Sequence, residues 1–242
     1  MPAGWSSARH EPGMTATPDG RPADERSTDA ALMAVLEWSR SLGFLGPGSL
    51  RVQVAHGRGF AAGAPGPPGR LLDLGSGGGV PGLVLAARWP TSEVVLLDAA
   101  ERRCAFLAES VSSLGWEERV RVVRARAEDA GRREDLRERF DIVVARGFGP
   151  PPVTAECGAP FLVVGGRLIV SEPPPGDGEV PGAADDGSGA TVRWPEEGLA
   201  LVGLRSERVW SDPYRYRSLV LERTCPERFP RRTGVPAKRP LF

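Results

Sequence analysis

Histidine and cysteine are scarce in this chain of 242 residues, with two of the first and three of the second. Cys104, Cys157 and Cys225 are scattered, odd in number and without CxxC spacing. That excludes a disulfide framework and a zinc ribbon, and points to a reducing cytoplasm. His10 and His56 alone cannot build a histidine-rich metal centre, so no metal is expected. Charge of one sign is also missing. Lys and Arg number 31, as do Asp and Glu, and the formal net charge of +0 gives no global pull toward nucleic acid. No apolar run approaches the ~20 residues that span a bilayer, and the N-terminus lacks the charged-then-apolar pattern of a signal peptide. What is present, a hydrophobic fraction of 40%, suffices for the core of one α/β domain with extensions.

The most informative stretch runs Leu71-Leu72-Asp73-Leu74-Gly75-Ser76-Gly77-Gly78-Gly79-Val80-Pro81-Gly82. An apolar strand ends in an acid, breaks into glycines and opens a helix. Glycines tolerate positive φ and let backbone approach a ligand, while the helix points free N–H groups at whatever occupies the turn. Two cofactors compete. Gly77-x-Gly79-x-x-Gly82 satisfies the dinucleotide fingerprint, which alone is a weak signal. Asp73 before Gly75, Gly77 and Gly79 instead gives D-x-G-x-G-x-G, whose carboxylate suits the ammonium of S-adenosylmethionine and would repel a pyrophosphate. A glycine-rich turn without a ligand is the bland alternative. Glu93 to Asp98 reads as a second buried strand ending in an acid, placed about 20 residues on, where a ribose diol is held. Capping of the next helix is the ordinary role for Asp98.

The pattern from Arg70 onward is regular. It predicts strands at 70–74, 93–98, 120–125, 140–145 and 166–171, and helices at 82–88, 100–114, 131–139 and 152–161. Alternation of this kind implies a parallel sheet covered on both faces, with the ligand crevice at the strands' carboxyl ends. Asp73, Asp98, Glu128 and Arg146 all fall there. Leu199 to Trp210 and Arg217 to Glu222 alternate like two closing strands. The expected fold is therefore class I methyltransferase-like: α/β, Rossmann-like, mostly parallel, with a C-terminal antiparallel hairpin. Around it, residues 1–26 read as a disordered extension. Residues 27–69 read as a helix from Ser27-Thr28-Asp29 to Gly43 plus a linker, with Leu50 to Val54 alternating weakly. The methyltransferase domain covers 70–224, with a mobile loop over 173–193, and residues 225–242 form a basic tail.

The acceptor is approached through absences. No Asp/Asn-Pro-Pro-aromatic follows the fourth strand, where Gly149-Pro150-Pro151-Pro152 stands, and Cys157 follows Glu156 rather than a proline. No His–Asp pair offers a general base. An acceptor needing no deprotonation, such as guanine N7, fits this inventory, with catalysis by positioning and electrostatics. Arg146 is the residue delivered to the methyl-transfer crevice, although a strand-end arginine is commonly just solvated. The Arg-rich tail from Arg228 to Leu241 suits phosphate contact, or serves solubility alone. A divergent enzyme for a small-molecule acceptor and a non-catalytic S-adenosylmethionine-binding protein stay open as alternatives.

Together these segments resemble the small-subunit rRNA (guanine-N7) methyltransferase G family, also called glucose-inhibited division protein B. The likeness is carried by Asp73 to Gly82, by Leu96-Leu97-Asp98 with Arg103 and Phe106-Leu107, by Arg126-Ala127-Glu128 and by Ala145-Arg146-Gly147-Phe148. The tail Phe229-Pro230-Arg231-Arg232-Thr233-Gly234-Val235-Pro236 resembles the family's Tyr-Pro-Arg-Lys-x-Gly-x-Pro. The resemblance implies that Gly75 and Val80 line S-adenosylmethionine, that Ala127 and Glu128 hold its adenine and that Arg146 lies at the transfer centre. It implies 16S rRNA of the small ribosomal subunit as partner; no membrane association and a monomer are the accompanying expectations. The family's Asn-Leu-Thr and His-x-x-Asp-Ser segments are not found between Glu37 and Arg70, and Ser171-Glu172-Pro173 replaces its Leu-Lys-Gly. Glu172 in place of a cation is expected to weaken RNA binding.

Overall fold

In the computed structural model, residues 23–173 and 193–242 are described. The disorder expected for the N-terminal extension and the mobile loop therefore fall largely outside the described residues. Five strands, β1 (Arg70–Leu74), β2 (Glu93–Asp98), β3 (Val120–Arg124), β4 (Phe140–Ala145) and β5 (Leu162–Ser171), pair in parallel. Two more, β6 (Leu204–Ser211) and β7 (Arg215–Leu221), form a hairpin whose second strand runs antiparallel to β5. The sheet order is β3-β2-β1-β4-β5-β7-β6, so the strand order switches sides between the parallel neighbours β1 and β4. That switch point opens a crevice at the carboxyl ends of both strands.

Helices cover both faces: α1 (Ala23–Ser41), α2 (Leu50–Gly59), α3 (Gly82–Arg88) and α4 (Glu101–Ser113), then α5 (Ala127–Ala130), α6 (Pro151–Gly158), α7 (Glu196–Ala200) and α8 (Val235–Lys238). Strand side chains alternate between two cores, as a pleated ribbon buried on both sides requires. Leu72, Leu74, Val143 and Leu168 point to the side closed by Phe161, Trp194 and Phe229. Leu71, Leu96, Val144 and Ile169 point to the side closed by Phe60, Leu83, Phe106 and Tyr216.

Four elements differ from those the sequence predicts. The first helix begins at Ala23, about a turn before the Ser27–Asp29 cap signal, although Leu32, Val35, Leu36 and Ser39 are buried as their spacing predicts. The weakly alternating Leu50–Val54 is the start of α2. Ser49 caps it, its side chain accepting from the Arg51 N–H at 3.3 Å, and the buried set Leu50, Gln53, Val54 and Gly57 follows the helical period. The helix expected over 131–139 is absent. Residues 127–130 form α5 and the next nine fold into turns, because Arg137 donates to the carbonyls of Phe229 (2.8 Å) and Cys225 (2.7 Å) in the tail. The segment entering the hairpin is helical at Leu199, and β6 starts only at Leu204.

Candidate active site

The glycine loop is held from three sides. The N–H groups of Gly75 and Ser76 both donate to the Leu97 carbonyl, at 2.8 and 2.9 Å, which lays the loop across the end of β2. Ser39 of α1 donates to the Gly78 carbonyl at 2.9 Å. Gly75 sits at φ 76°, and a Cβ there would stand 2.8 Å from the Phe148 ring, so only glycine leaves the approach open. Gly77 and Gly79 also have positive φ, and Val80 is packed at 7% exposure behind the loop.

Asp73 lies under this loop, fully buried. Its Oδ2 accepts the Gly82 N–H at 2.9 Å, the first turn of α3. A Cβ at Gly82 would collide with that oxygen, which explains the glycine. Its Oδ1 is buried and has no hydrogen-bond partner among the described residues. Burial, reinforced by the Asp98 charge, pushes the Asp73 carboxyl up to about 7, against the opposing pull of the Gly82 N–H, the nearby Ser76 hydroxyl and the Arg146 charge. A buried acceptor left open in this way is costly unless something cationic or hydrogen-bonding meets it.

Asp98 anchors two backbone segments at once. Its Oδ1 accepts the Ala100 N–H at 2.8 Å ahead of α4, its Oδ2 accepts the Gly77 N–H at 2.9 Å, and Arg103 approaches to 3.7 Å. The sequence allows ribose binding and helix capping together; in the structure Ala100 is the N-cap of α4 without a side-chain cap, and Asp98 instead ties the turn before the helix to the glycine loop.

Ala127 is buried and Glu128 half-buried on α5. The Glu128 Oε1 accepts the Gly234 N–H at 2.9 Å, and Thr233 Oγ1 donates to Asp129 at 2.8 Å. The tail is therefore docked on the structure rather than running free. Its Arg231 forms a bidentate pair with Glu156, a carboxylate with no solvent exposure. Arg228, Arg232, Lys238 and Arg239 stay exposed.

Arg146, at the end of β4, is partly buried, and its guanidinium donates to Gln53 Oε1 of α2. It forms no ion pair among the described residues, although the Asp73 charge is felt there. His56, one turn along α2, stacks on Tyr214 with centroids 4.2 Å apart. Burial and the Arg146 charge push His56 down to about 4. Sequence reasoning missed both α2 residues; the Ser49 cap and the Leu50/Val54/Gly57 spacing were the available signal. The expectation for Glu172 also changes. Its carboxylate is 4% exposed and pairs with Arg193 (3.0 Å) and Arg217 (3.1 Å), so its charge is neutralised within the protein. Burial pushes the Cys157 thiol far above the ordinary range, which rules it out as a thiolate nucleophile.

No helix among the described residues is long and apolar enough to cross a membrane. The fold is shared with cofactor-bound Rv0187 from MTB, 18% identical over 81% of this chain and 91% of that one, at a TM-score of 0.56. The family model for rRNA small subunit methyltransferase G matches residues 64–172. The ribosomal RNA small subunit methyltransferase G of Moorella thermoacetica is 35% identical over 72% of this chain and 70% of its own length. That of Symbiobacterium thermophilum is 37% identical over 76% of this chain and 74% of its own. The carboxylate, glycine loop and strand-end arginine described above lie within the matched segment, and this chain belongs to the rRNA small subunit methyltransferase G family of S-adenosylmethionine-dependent methyltransferases.

Proposed function

We propose that this chain methylates guanine N7 of 16S rRNA, working as a monomer on the small ribosomal subunit in the cytoplasm. The observation that carries the reading is the pairing, across one crevice, of a buried carboxylate oxygen without a partner (Asp73 Oδ1) and a cation without a carboxylate (Arg146). The first suits the ammonium of the cofactor; the second is left for an acceptor rich in oxygen. S-adenosylmethionine supplies the electrophilic methyl group. The residues present fit it: Asp73 Oδ1 would take the ammonium, and Gly75, Gly77, Gly79 and Val80 would line its path. Asp98 would accept from ribose hydroxyls with its remaining lone pairs, and Ala127 and Glu128 would flank the adenine.

Among the described residues near Arg146, none is built to remove a proton. His56, held at about 4, is a poor base at neutral pH, and Cys157 is no nucleophile. Guanine N7 has an in-plane lone pair and needs neither, so positioning by Arg146 is the main requirement. Arg228, Arg232, Lys238 and Arg239 would meet RNA phosphates, which makes the affinity for the subunit fall with salt. The deciding experiment is transfer of labelled methyl to 30S subunits lacking the N7 modification, with the labelled base identified by mass spectrometry. N7-methylguanine in 16S rRNA is expected; cofactor binding with no label in the rRNA would refute the acceptor.

Two substitutions test the residue assignments. Asp98→Ala removes a charged acceptor and the anchor of Gly77, and should weaken cofactor binding by ~1.5–3 kcal/mol. Wild-type affinity by calorimetry would take Asp98 out of the site. Arg146→Ala should cut turnover by roughly 100-fold, the scale of losing a charged positioning group, while leaving the folded protein intact. Normal turnover would reduce Arg146 to a surface arginine.

A further inference from the structure

Gln53 and His56 stand three residues apart on one face of α2; Gln53 is bonded to Arg146, and the Arg146 charge is felt at His56. Gln53 is buried at 8% exposure, and its Oε1 takes a guanidinium N–H of Arg146. No protein acceptor takes its own amide hydrogens among the described residues. His56 Nε2 is buried without a partner among the described residues. The His56 ring is fixed on both sides, stacked on Tyr214 and edge-on to Tyr216 at 5.6 Å, and the Tyr216 hydroxyl donates to the His56 carbonyl at 2.8 Å. A rigidly held polar nitrogen with nothing to bond costs stability, and such exceptions call for a reason.

We propose that Gln53, His56 and Arg146 form the subsite that reads the acceptor base, Gln53 as the positioning residue for Arg146 and His56 as an acceptor for a ring N–H. The inference rests on the rRNA reading given above and names the base it selects. Beside N7, guanine carries O6, which only accepts. Arg146 and the Gln53 amide have only N–H donors left to offer. Adenine places an amino group at that position, so donors would face donors. On its other edge guanine N1–H donates, and a neutral imidazole supplies the lone pair; adenine N1 has no hydrogen to give. Gln53 serves better than a carboxylate, because it turns the guanidinium without neutralising it and without competing for Asp73.

Two variants of the full chain, assayed on 30S subunits lacking the N7 methyl group, separate this role from packing. His56→Phe keeps the stack on Tyr214 and removes the unpartnered nitrogen. Its Tm should rise while methyl transfer falls roughly tenfold, the scale of one lost hydrogen bond, at unchanged cofactor affinity. Gln53→Glu keeps the shape but pairs Arg146 with a carboxylate, and should lose at least as much activity, again with cofactor affinity unchanged. A packing role predicts the reverse, since both replacements preserve volume. Wild-type transfer by either variant overturns the proposal while leaving the rRNA reading in place. A wild-type chain that methylates no guanine in 16S rRNA removes that reading and the base subsite with it.

Discussion

Replacing Arg231 by alanine is expected to cost this protein about 3–5 kcal/mol of stability, the scale of removing one partner from a buried ion pair. Glu156 has no solvent exposure, and it receives the Arg231 backbone N–H at 2.8 Å, Nε at 2.8 Å and a terminal guanidinium N–H at 2.6 Å. Without the guanidinium, one N–H is left to hold a charged carboxylate inside the core. The same guanidinium donates to the Arg239 carbonyl at 2.7 Å, so its loss also frees the segment around α8. Typical domain stabilities are ~5–15 kcal/mol, which makes this a large fraction of the total. Urea unfolding reads the effect directly. Pairing Arg231→Met with Glu156→Leu should recover most of the loss, because the apolar pair carries no desolvation penalty. A midpoint unchanged in the alanine variant would mean the tail contributes nothing to the fold.

The second large effect belongs to Asp73. Asp73→Asn keeps the hydrogen bond from Gly82 and deletes the charge, and should weaken S-adenosylmethionine binding by about 2–5 kcal/mol. The pH dependence supplies a sharper signature. The folded-state pKa lies at about 7, raised by burial from its ordinary value near 4. In the free protein the carboxyl is therefore protonated below pH 7, and the ammonium of the cofactor must displace that proton. Affinity should fall as pH drops from about 7 toward 5, with protons released on binding, and the asparagine variant should show neither trend. Stability runs the other way. Because the folded pKa is raised, the contribution from Asp73 is fully present below the unfolded value and is lost as pH rises through about 7. Calorimetry at pH 6 in two buffers of different ionisation enthalpy checks the proton count. Equal apparent enthalpies in both would contradict a neutral Asp73 in the free protein.

The frame of this fold was legible in the sequence wherever local pattern and tertiary need agree. Leu71–Leu74 and Glu93–Asp98 are apolar runs closed by an acid and followed by a turn, and each is a strand whose last residue or two face the crevice. What escaped was set by distant partners. Leu50-Arg-Val-Gln-Val alternates weakly like a strand, yet the segment is a helix, and Gly57 and Gly59 let it press on Val84 and the Tyr216 hydroxyl. Both halves of the acceptor side, Gln53 and His56, went unseen with it. Arg132 to Arg139 has helix-forming composition, but Arg137 bonds to tail carbonyls some 90 residues away, at separations of 88 and 92. In the tail, one arginine of the cluster, Arg231, meets a buried glutamate, and clustered charge in the sequence does not announce which one.

The anchoring of α2 bears on how acceptor choice in this fold could be altered. Trp210 Nε1 donates to the Gly59 carbonyl at 3.2 Å, and Tyr216 holds the His56 carbonyl, so the helix is fastened to the β6–β7 hairpin more than 150 residues downstream. A chimera that imports a new α2 alone would leave both donors without acceptors in register and let the helix drift from Arg146. Helix and hairpin form one exchangeable cassette, set against a cofactor half that can stay as it is.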